Sequence, residues 1–73
     1  MNAIVHMTGP HCSRIRHADR TRPVWHVAIV DAGNQPQGTV YRCLSYRRAV
    51  TLSCNIARDR RLYLHMDALA VVG

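Results

Sequence analysis

Histidine and cysteine side chains are concentrated in the first third of the chain, and they are its most reactive groups. Five of them lie between positions 6 and 26: His6, His11, Cys12, His17 and His26. Imidazole and thiolate are ligands that zinc prefers, but the spacing lacks the paired C-x-x-C and later H-x-x-x-H of structural zinc sites. We expect no metal ion and no cofactor. A small zinc-binding or structural dimer subunit remains an alternative, with ligands from His6, His11, Cys12 and His17.

A catalytic role for these residues would require a rigid active site. Cys12 next to His11 resembles a thiol and imidazole pair, but its segment has too few apolar residues to hold the pair in an accurate position. No glycine-rich phosphate loop is present. The acidic residues are scattered along the chain, at Asp19, Asp31, Asp59 and Asp67. We therefore predict no catalytic residues and expect that the protein is not an enzyme.

Arginine is the strongest chemical signal in the sequence. All ten basic residues are arginines, and the formal net charge is +6. A field of this sign attracts polyanions, and the planar guanidinium group forms paired hydrogen bonds with phosphate or carboxylate. Biased codon usage would also replace lysine by arginine, and one sequence does not separate the two explanations. The candidate contacts to nucleic acid or to a partner are Arg14, Arg16, Arg20, Arg22, Arg42, Arg47, Arg48, Arg58 and Arg61.

The arginines form three clusters: one in the N-terminal segment, one around the start of a predicted helix, and one, which includes Arg60, at its end. The last cluster has an ordinary explanation, because the helix dipole favours cations near the C-terminus. Arg47 and Arg48 fall in the first turn, where the dipole disfavours positive charge, so their position indicates a functional contact; a helix face that is simply solvated is the alternative. Arg47 and Arg58 share one side of the helix, roughly 16 Å apart along its axis.

The length and composition fit one small folded domain. The chain has 73 residues, of which 48% are hydrophobic and 19% charged, whereas disordered chains combine few apolar residues with high net charge. A core of this size rarely supplies more than about 3–5 kcal/mol, so self-association is expected. No segment reaches the ~20 apolar residues of a membrane-spanning helix. We expect no membrane contact, and no basic leader with an apolar run opens the chain.

The cysteines indicate a reducing compartment. Cys12, Cys43 and Cys54 are odd in number and include no C-x-x-C pair, so we interpret them as reduced thiols in a cytoplasmic protein. Cys43 and Cys54 are expected to be small apolar side chains that face the core. Trp25 is expected to anchor that core.

Residues 1–23 differ in composition from the chain that follows. A short strand fits residues 4–7, but the Gly9-Pro10 pair is expected to end it. Residues 11–22, HCSRIRHADRTR, contain four arginines and little that is apolar. Since such a segment has no face to bury, we predict a flexible basic arm or loop over residues 1–23.

The pattern after residue 23 predicts two strands joined by a turn. Residues 24–30, VWHVAIV, are rich in β-branched side chains and alternate as a strand requires. Residues 31–38, DAGNQPQG, have turn composition, and a second strand is predicted over residues 39–45. The two strands are expected to pair as an antiparallel hairpin.

An amphipathic helix and a third strand complete the predicted fold. Ser45 is a good N-cap, and no glycine or proline lies between it and Arg61. Residues 62–66, LYLHM, alternate again. The result is a small α+β domain of ββαβ order over residues 24–73, with the helix on one face of a three-stranded sheet. The open face is expected to be covered by a second subunit, giving a homodimer, or by a partner protein.

Three functions compete on these observations. The first is a small, non-catalytic, arginine-rich protein that engages nucleic acid, or a nucleic-acid-handling complex, through phosphate contacts. In organisation, a very short basic chain with a small sheet and one helix, the sequence is similar to phage and mobile-element accessory proteins, among them some anti-CRISPR inhibitors. That resemblance implies the second function, an inhibitor that binds an acidic protein surface of a host nucleoprotein machine. The third is the zinc-binding or structural subunit.

Overall fold

The structure, a computed structural model, describes residues 3–14 and 21–70 of the chain. They form a small α+β domain in which a four-stranded mixed sheet carries one helix. The strands lie in the order β3-β2-β1-β4, and the helix contacts all four of them. The elements are β1 (Ile4–Arg14), β2 (Thr21–Val30), β3 (Tyr41–Cys43), α1 (Tyr46–Arg60) and β4 (Tyr63–Ala68).

Strand pairing places β1 and β2 at the centre of the sheet. They pair antiparallel with each other, β2 pairs antiparallel with β3, and β1 pairs parallel with β4. Because β3 and β4 are at opposite edges, α1 connects the two edges and lies across the strands between them. The predicted antiparallel pairing of residues 24–30 with the strand after the turn is therefore confirmed by β2 and β3, but β3 covers Tyr41–Cys43 and not the predicted residues 39–45.

The predicted three-stranded ββαβ sheet is wrong, because β1 adds a fourth, central strand. The Gly9-Pro10 pair does not end this strand: the register against β2 shifts between Thr8 and His11, which is a β-bulge. A bulge accommodates an extra residue and tolerates both glycine and proline. Gly9 adopts φ 144° there, a conformation that residues with side chains rarely reach.

The predicted basic arm is not seen in the described residues. Within the span 1–23, residues 4–14 belong to β1 and residues 21–23 belong to β2. Residues 1–2 and 15–20, which include Arg16, His17 and Arg20, lie outside the described residues. Backbone pairing thus orders part of a segment whose side chains have little apolar surface, since each strand hydrogen-bonds with its neighbour.

The core lies between α1 and the odd-numbered side chains of the central strands. Val5, Met7 and Val27 have no exposed surface, and Trp25 is 3% exposed. Burial of such side chains contributes about 1.5–3 kcal/mol each. α1 contributes Ala49 and the buried Ser53, whose hydroxyl donates to the Val50 carbonyl. Trp25 and Val27 face α1, as the predicted alternation requires, but Val24, Ala28 and Val30 on the other side of β2 are buried as well.

Trp25 is the predicted core anchor, and its polar atom is satisfied. The indole Nε1 donates to the backbone oxygen of Leu69 at 3.1 Å, and the Leu69 amide donates to the Gly9 oxygen at 3.1 Å. The ring also meets Tyr46 edge-on, with centroids 6.1 Å apart. The tryptophan therefore connects the bulge of β1, the start of α1 and the chain after β4.

The ends of α1 agree with the prediction. The Ser45 hydroxyl accepts a hydrogen bond from the Arg48 amide at 3.1 Å, as an N-cap does. The helix ends at Arg60, and Arg61 takes the left-handed conformation, with φ 54° and its amide directed at the last carbonyls. Glycine is the usual residue at that position, so Arg61 occupies it at some conformational cost.

Candidate nucleic-acid interface

One set of arginines lies along the exposed side and both ends of α1. We call this set the helix arginine face. Arg47 and Arg48 occupy the first turn, as predicted, and no acidic residue accompanies them there. All of its members are exposed to solvent: Arg47, Arg48, Arg58, Arg60 and Arg61.

Few neighbouring groups neutralise the helix arginine face. Arg58 donates to Asn55 Oδ1 at 3.2 Å and lies 3.8 Å from an Asp59 oxygen. Both partners of that ion pair are exposed, so it contributes at most about 1 kcal/mol. In residues 3–14 and 21–70, the other four guanidinium groups of the face form no ion pair. They can therefore form paired hydrogen bonds with an incoming anion.

The structure does not gather all nine predicted contact arginines on one surface. Arg22 and Arg42 are exposed, and strand alternation places both on the sheet face opposite α1. Arg14 lies at the end of β1, and its side chain is outside the described part of the molecule, as are Arg16 and Arg20 altogether. Of the predicted set, Arg47, Arg48, Arg58 and Arg61 are thus exposed on α1 or directly after it, together with Arg60, which lies beside Ile56 at the C-terminal end of the helix.

The sheet face opposite α1 carries a cluster of histidines that we call the imidazole face, made of His6, His11, His26 and His65. His11 and His26 stack with ring centroids 4.3 Å apart and planes inclined by 18°. His6 and His65 meet with centroids 5.3 Å apart and planes inclined by 48°. Thr8 Oγ1 lies 2.9 Å from His11 Nε2, within hydrogen-bonding distance.

The electrostatic environment keeps one of these rings neutral over a wider pH range. Burial lowers the pKa of His26, and the positive charges of His11 and Arg42 lower the pKa further. Both effects disfavour the imidazolium form. At neutral pH His26 is therefore an uncharged ring beneath His11.

Sequence reasoning named three of the four rings of the imidazole face and missed His65. His6, His11 and His26 were grouped with Cys12 and His17 as possible zinc ligands, but the structure pairs His6 with His65 and His11 with His26. The Cys12 side chain and His17 lie outside the part of the chain that the structure describes. Within the described residues, no group of three or more His, Cys, Asp or Glu side chains is placed to hold a metal ion. The alternation of LYLHM put His65 on a sheet face, but only the strand order puts it beside His6.

Cys43 and Cys54 were both expected to face the core, and the structure buries only Cys43. Cys43 is buried under α1, as expected, and burial raises the pKa of its thiol, although the nearby Arg48 charge opposes this change. A protonated, buried thiol is a poor nucleophile. Cys54 is exposed on α1, so the expectation that it faces the core is wrong. It lies seven residues after Arg47, about two helical turns, and therefore on the same outward side of α1.

A shallow cavity lies near the C-terminal end of α1, where the loop after β2 approaches the helix. Its volume is about 270 Å³, just below the size range of sites that enclose small ligands. Arg60 and Tyr41 reach it from α1 and β3. The lining residues are Ile29, Gln37, Gly38, Thr39, Tyr41, Ile56 and Arg60.

Comparison with known proteins assigns no relative to this chain. No protein-family model, curated protein or solved structure matches it. In the part of the chain that the structure describes, no helix has the length and apolar character needed to cross a membrane. The functional argument therefore depends on the two surfaces, the helix arginine face and the imidazole face.

Proposed function

We propose that this protein is a small, non-catalytic module that binds nucleic acid through phosphate contacts made by the helix arginine face. The observation that carries the proposal is the set of five exposed arginines on and next to α1, opposed locally only by Asp59 among the described residues. A charged surface of this kind costs self-repulsion unless a ligand compensates it.

The position of Arg47 and Arg48 adds to this argument. Cations in the first turn are disfavoured by the helix dipole, by roughly 0.3–1 kcal/mol each near the surface. The N-cap Ser45 uses its hydroxyl on the Arg48 amide, so the arginine side chains are not needed to cap the helix. An anionic ligand at this end of α1 would interact favourably with both the guanidinium groups and the helix terminus.

The same geometry predicts little reading of sequence. Phosphate contacts position a protein on nucleic acid but carry no base information. The arginines cluster at the two ends of α1, while the middle of its exposed side offers short polar groups such as Thr51 and Asn55. We propose that duplexes of different sequence bind with similar affinity.

Fluorescence anisotropy with a labelled duplex at about 50 mM salt tests the proposal, because phosphate binding weakens as salt rises, with a log–log slope near −0.9 per neutralised phosphate. Arg47→Ala/Arg48→Ala should lower duplex affinity and reduce the magnitude of the salt slope by about 1.8. The matched control is Arg22→Ala/Arg42→Ala, which removes the same charge from the opposite side of the sheet. It should retain most of the duplex affinity.

Two results would contradict the proposal. The first is an absence of duplex binding at the low salt concentration. The second is an equal loss in the two double variants, since this would mean that total charge, and not the helix arginine face, determines binding.

The alternative, an inhibitor that occupies an acidic surface of a nucleoprotein machine, predicts a different outcome. A pulldown from cytoplasmic lysate would give a stoichiometric protein complex that survives nuclease treatment. That result, together with an absence of duplex binding, would favour the inhibitor over the nucleic-acid module. Arg47, Arg48 and Arg58 would then be expected to be the anchors.

A further inference from the structure

The sheet face opposite α1 presents imidazole rings beside the buried aliphatic side chains of Val24, Ala28 and Val30, whereas the face beneath α1 carries no imidazole among the described residues. Each ring pair of the imidazole face bridges two neighbouring strands: His11 and His26 join β1 to β2, and His6 and His65 join β1 to β4. The sheet backbone therefore fixes the spacing of the rings. A fixed ring loses little conformational freedom when another ring stacks on it.

The outer ring of each pair is available to a ligand. His11 and His65 are exposed, whereas His26 and His6 are half-buried. Tyr63, which is 86% exposed, lies two residues before His65 on the same side of β4. Unpaired bases stack on exposed rings of this kind, histidine included, and each such contact is worth about 1–3 kcal/mol.

The charge of this face matches a phosphate backbone. Arg42 lies opposite His26 in the β2–β3 pairing and is exposed, and Arg22 lies further along β2. Asp67 is the acidic residue on this side among the described residues, and it lies on the far edge strand, β4. The β3 side of the face is thus positive and free of carboxylates within the described residues.

Other occupants fit these observations less well. A duplex keeps its bases stacked inside, out of reach of the rings. A second copy related by a two-fold axis would bring this face against itself, and the exposed Arg22 and Arg42 of both copies would add like charges to one interface. A metal ion finds no set of three ligands in the described part of the chain.

We infer that the imidazole face is a second nucleic-acid site, which binds single strands by stacking their bases on His11 and His65. The inference shares its ligand class with the proposed function and rests on it to that extent. The residues are different and lie on the opposite side of the sheet, so the two sites can be tested separately.

The test measures binding of a labelled single strand of about 12 nucleotides, a length within the range that small single-strand modules cover, and of the matching duplex. His11→Ala/His65→Ala removes two stacking contacts, so it should weaken single-strand binding by about 30-fold or more and leave duplex binding unchanged. His11→Tyr/His65→Tyr retains flat rings without imidazole nitrogens and should restore single-strand binding. Circular dichroism confirms that each variant folds.

The unmodified protein provides a second readout that needs no substitution. Addition of the single strand should move the imidazole proton resonances of His11 and His65 upfield in the NMR spectrum, because a stacked base shields them. Unmoved resonances under saturating single strand would overturn the inference, even if the alanine variant failed to fold.

The remaining outcomes separate the two proposals. Duplex binding without single-strand binding overturns this inference alone, and so does a failure of the tyrosine variant to restore binding. Binding to neither nucleic acid overturns both proposals. A dimer in sedimentation velocity that His11→Ala/His65→Ala dissociates would show that the imidazole face is a contact between two copies, which also overturns the inference.

Discussion

His26 is the residue whose environment gives the clearest prediction of how folding stability depends on pH. Its pKa is lowered by burial and by the positive charges of His11 on β1 and Arg42 on β3. In the unfolded chain the same ring takes up a proton near its ordinary pKa of about 6.5. Between the two pKa values the unfolded state binds more protons, so the free energy of unfolding decreases as pH falls below about 6.5. Below the pKa of His26 in the folded state both states carry the proton, so the free energy of unfolding stops decreasing.

Urea denaturation of the parent protein and of His26→Gln at several pH values checks this expectation. As pH falls from about 7.5 to about 5, the free energy of unfolding of the parent should decrease relative to that of the variant. Arg42→Gln removes one cause of the lowered pKa and should reduce the pH dependence. A difference between parent and His26→Gln that stays constant with pH would contradict the assignment.

At the scale of elements, the bulge in β1 depends on Gly9. A β-carbon there would lie 2.6 Å from Trp25 Cδ1, and φ is already 144°. Gly9→Ala therefore combines backbone strain with a clash in the core, and we expect a loss of about 2–4 kcal/mol in stability. Thermal or urea unfolding measures it.

Gly38→Ala is the matched control for the bulge. Gly38 also has a positive φ, of 87°, but no described atom lies within 4 Å of the added carbon. It should show the strain alone, about 1–2 kcal/mol. Equal losses in the two variants would mean that the contact with Trp25 does not matter.

At the C-terminus of α1 a single substitution is expected to increase stability. Arg61 holds the left-handed position that glycine usually takes, so Arg61→Gly should raise stability by up to about 1 kcal/mol. Arg60→Gly, at the last residue of the helix, removes the same charge but should lower stability by up to about 1 kcal/mol. Calorimetric melting of both variants separates the backbone effect from the charge effect, and a shift of the same sign in both would contradict it.

Elements with a strong local signal were predictable from the sequence. Ser45 and the run without glycine or proline defined α1, and VWHVAIV defined most of β2 and its buried side. β1 was missed in part because its central Gly9-Pro10 pair indicates a break, whereas here pairing on both sides carries the strand through. The β1–β4 pairing joins residues 4–9 to residues 63–68, a contact that no local pattern reports.

The two candidate surfaces differ in the same way, because one follows from a local pattern and the other from pairing between distant strands. The helix arginine face was predictable because helical periodicity alone assigns sides to Arg47 and Arg58. The imidazole face depends on the register between strands distant in sequence, so His65 could not be placed beside His6. One-residue differences in register would reverse which side of the sheet each histidine occupies.

For the whole molecule, the charge is large and little compensated. The net charge is +6 in 73 residues, and arginines occupy both sides of the sheet and helix. Asp31 is committed to its own loop, where it accepts hydrogen bonds from the Gly33 and Gln35 amides. Repulsion between the arginines therefore works against the folded state when salt is low.

Salt should consequently act on folding and on binding in opposite directions. Between about 10 mM and 150 mM the Debye length falls from roughly 30 Å to 8 Å, so repulsion across the molecule is screened. We expect the Tm to rise by several degrees over this range, since about 1 kcal/mol corresponds to 4–8 °C for a domain of this size. Over the same range, duplex affinity should fall. Arg47→Gln/Arg60→Gln, with two fewer charges, should show a smaller rise in Tm. A Tm that falls with salt would mean that attractive ion pairs, and not repulsion, dominate the electrostatic energy of the fold.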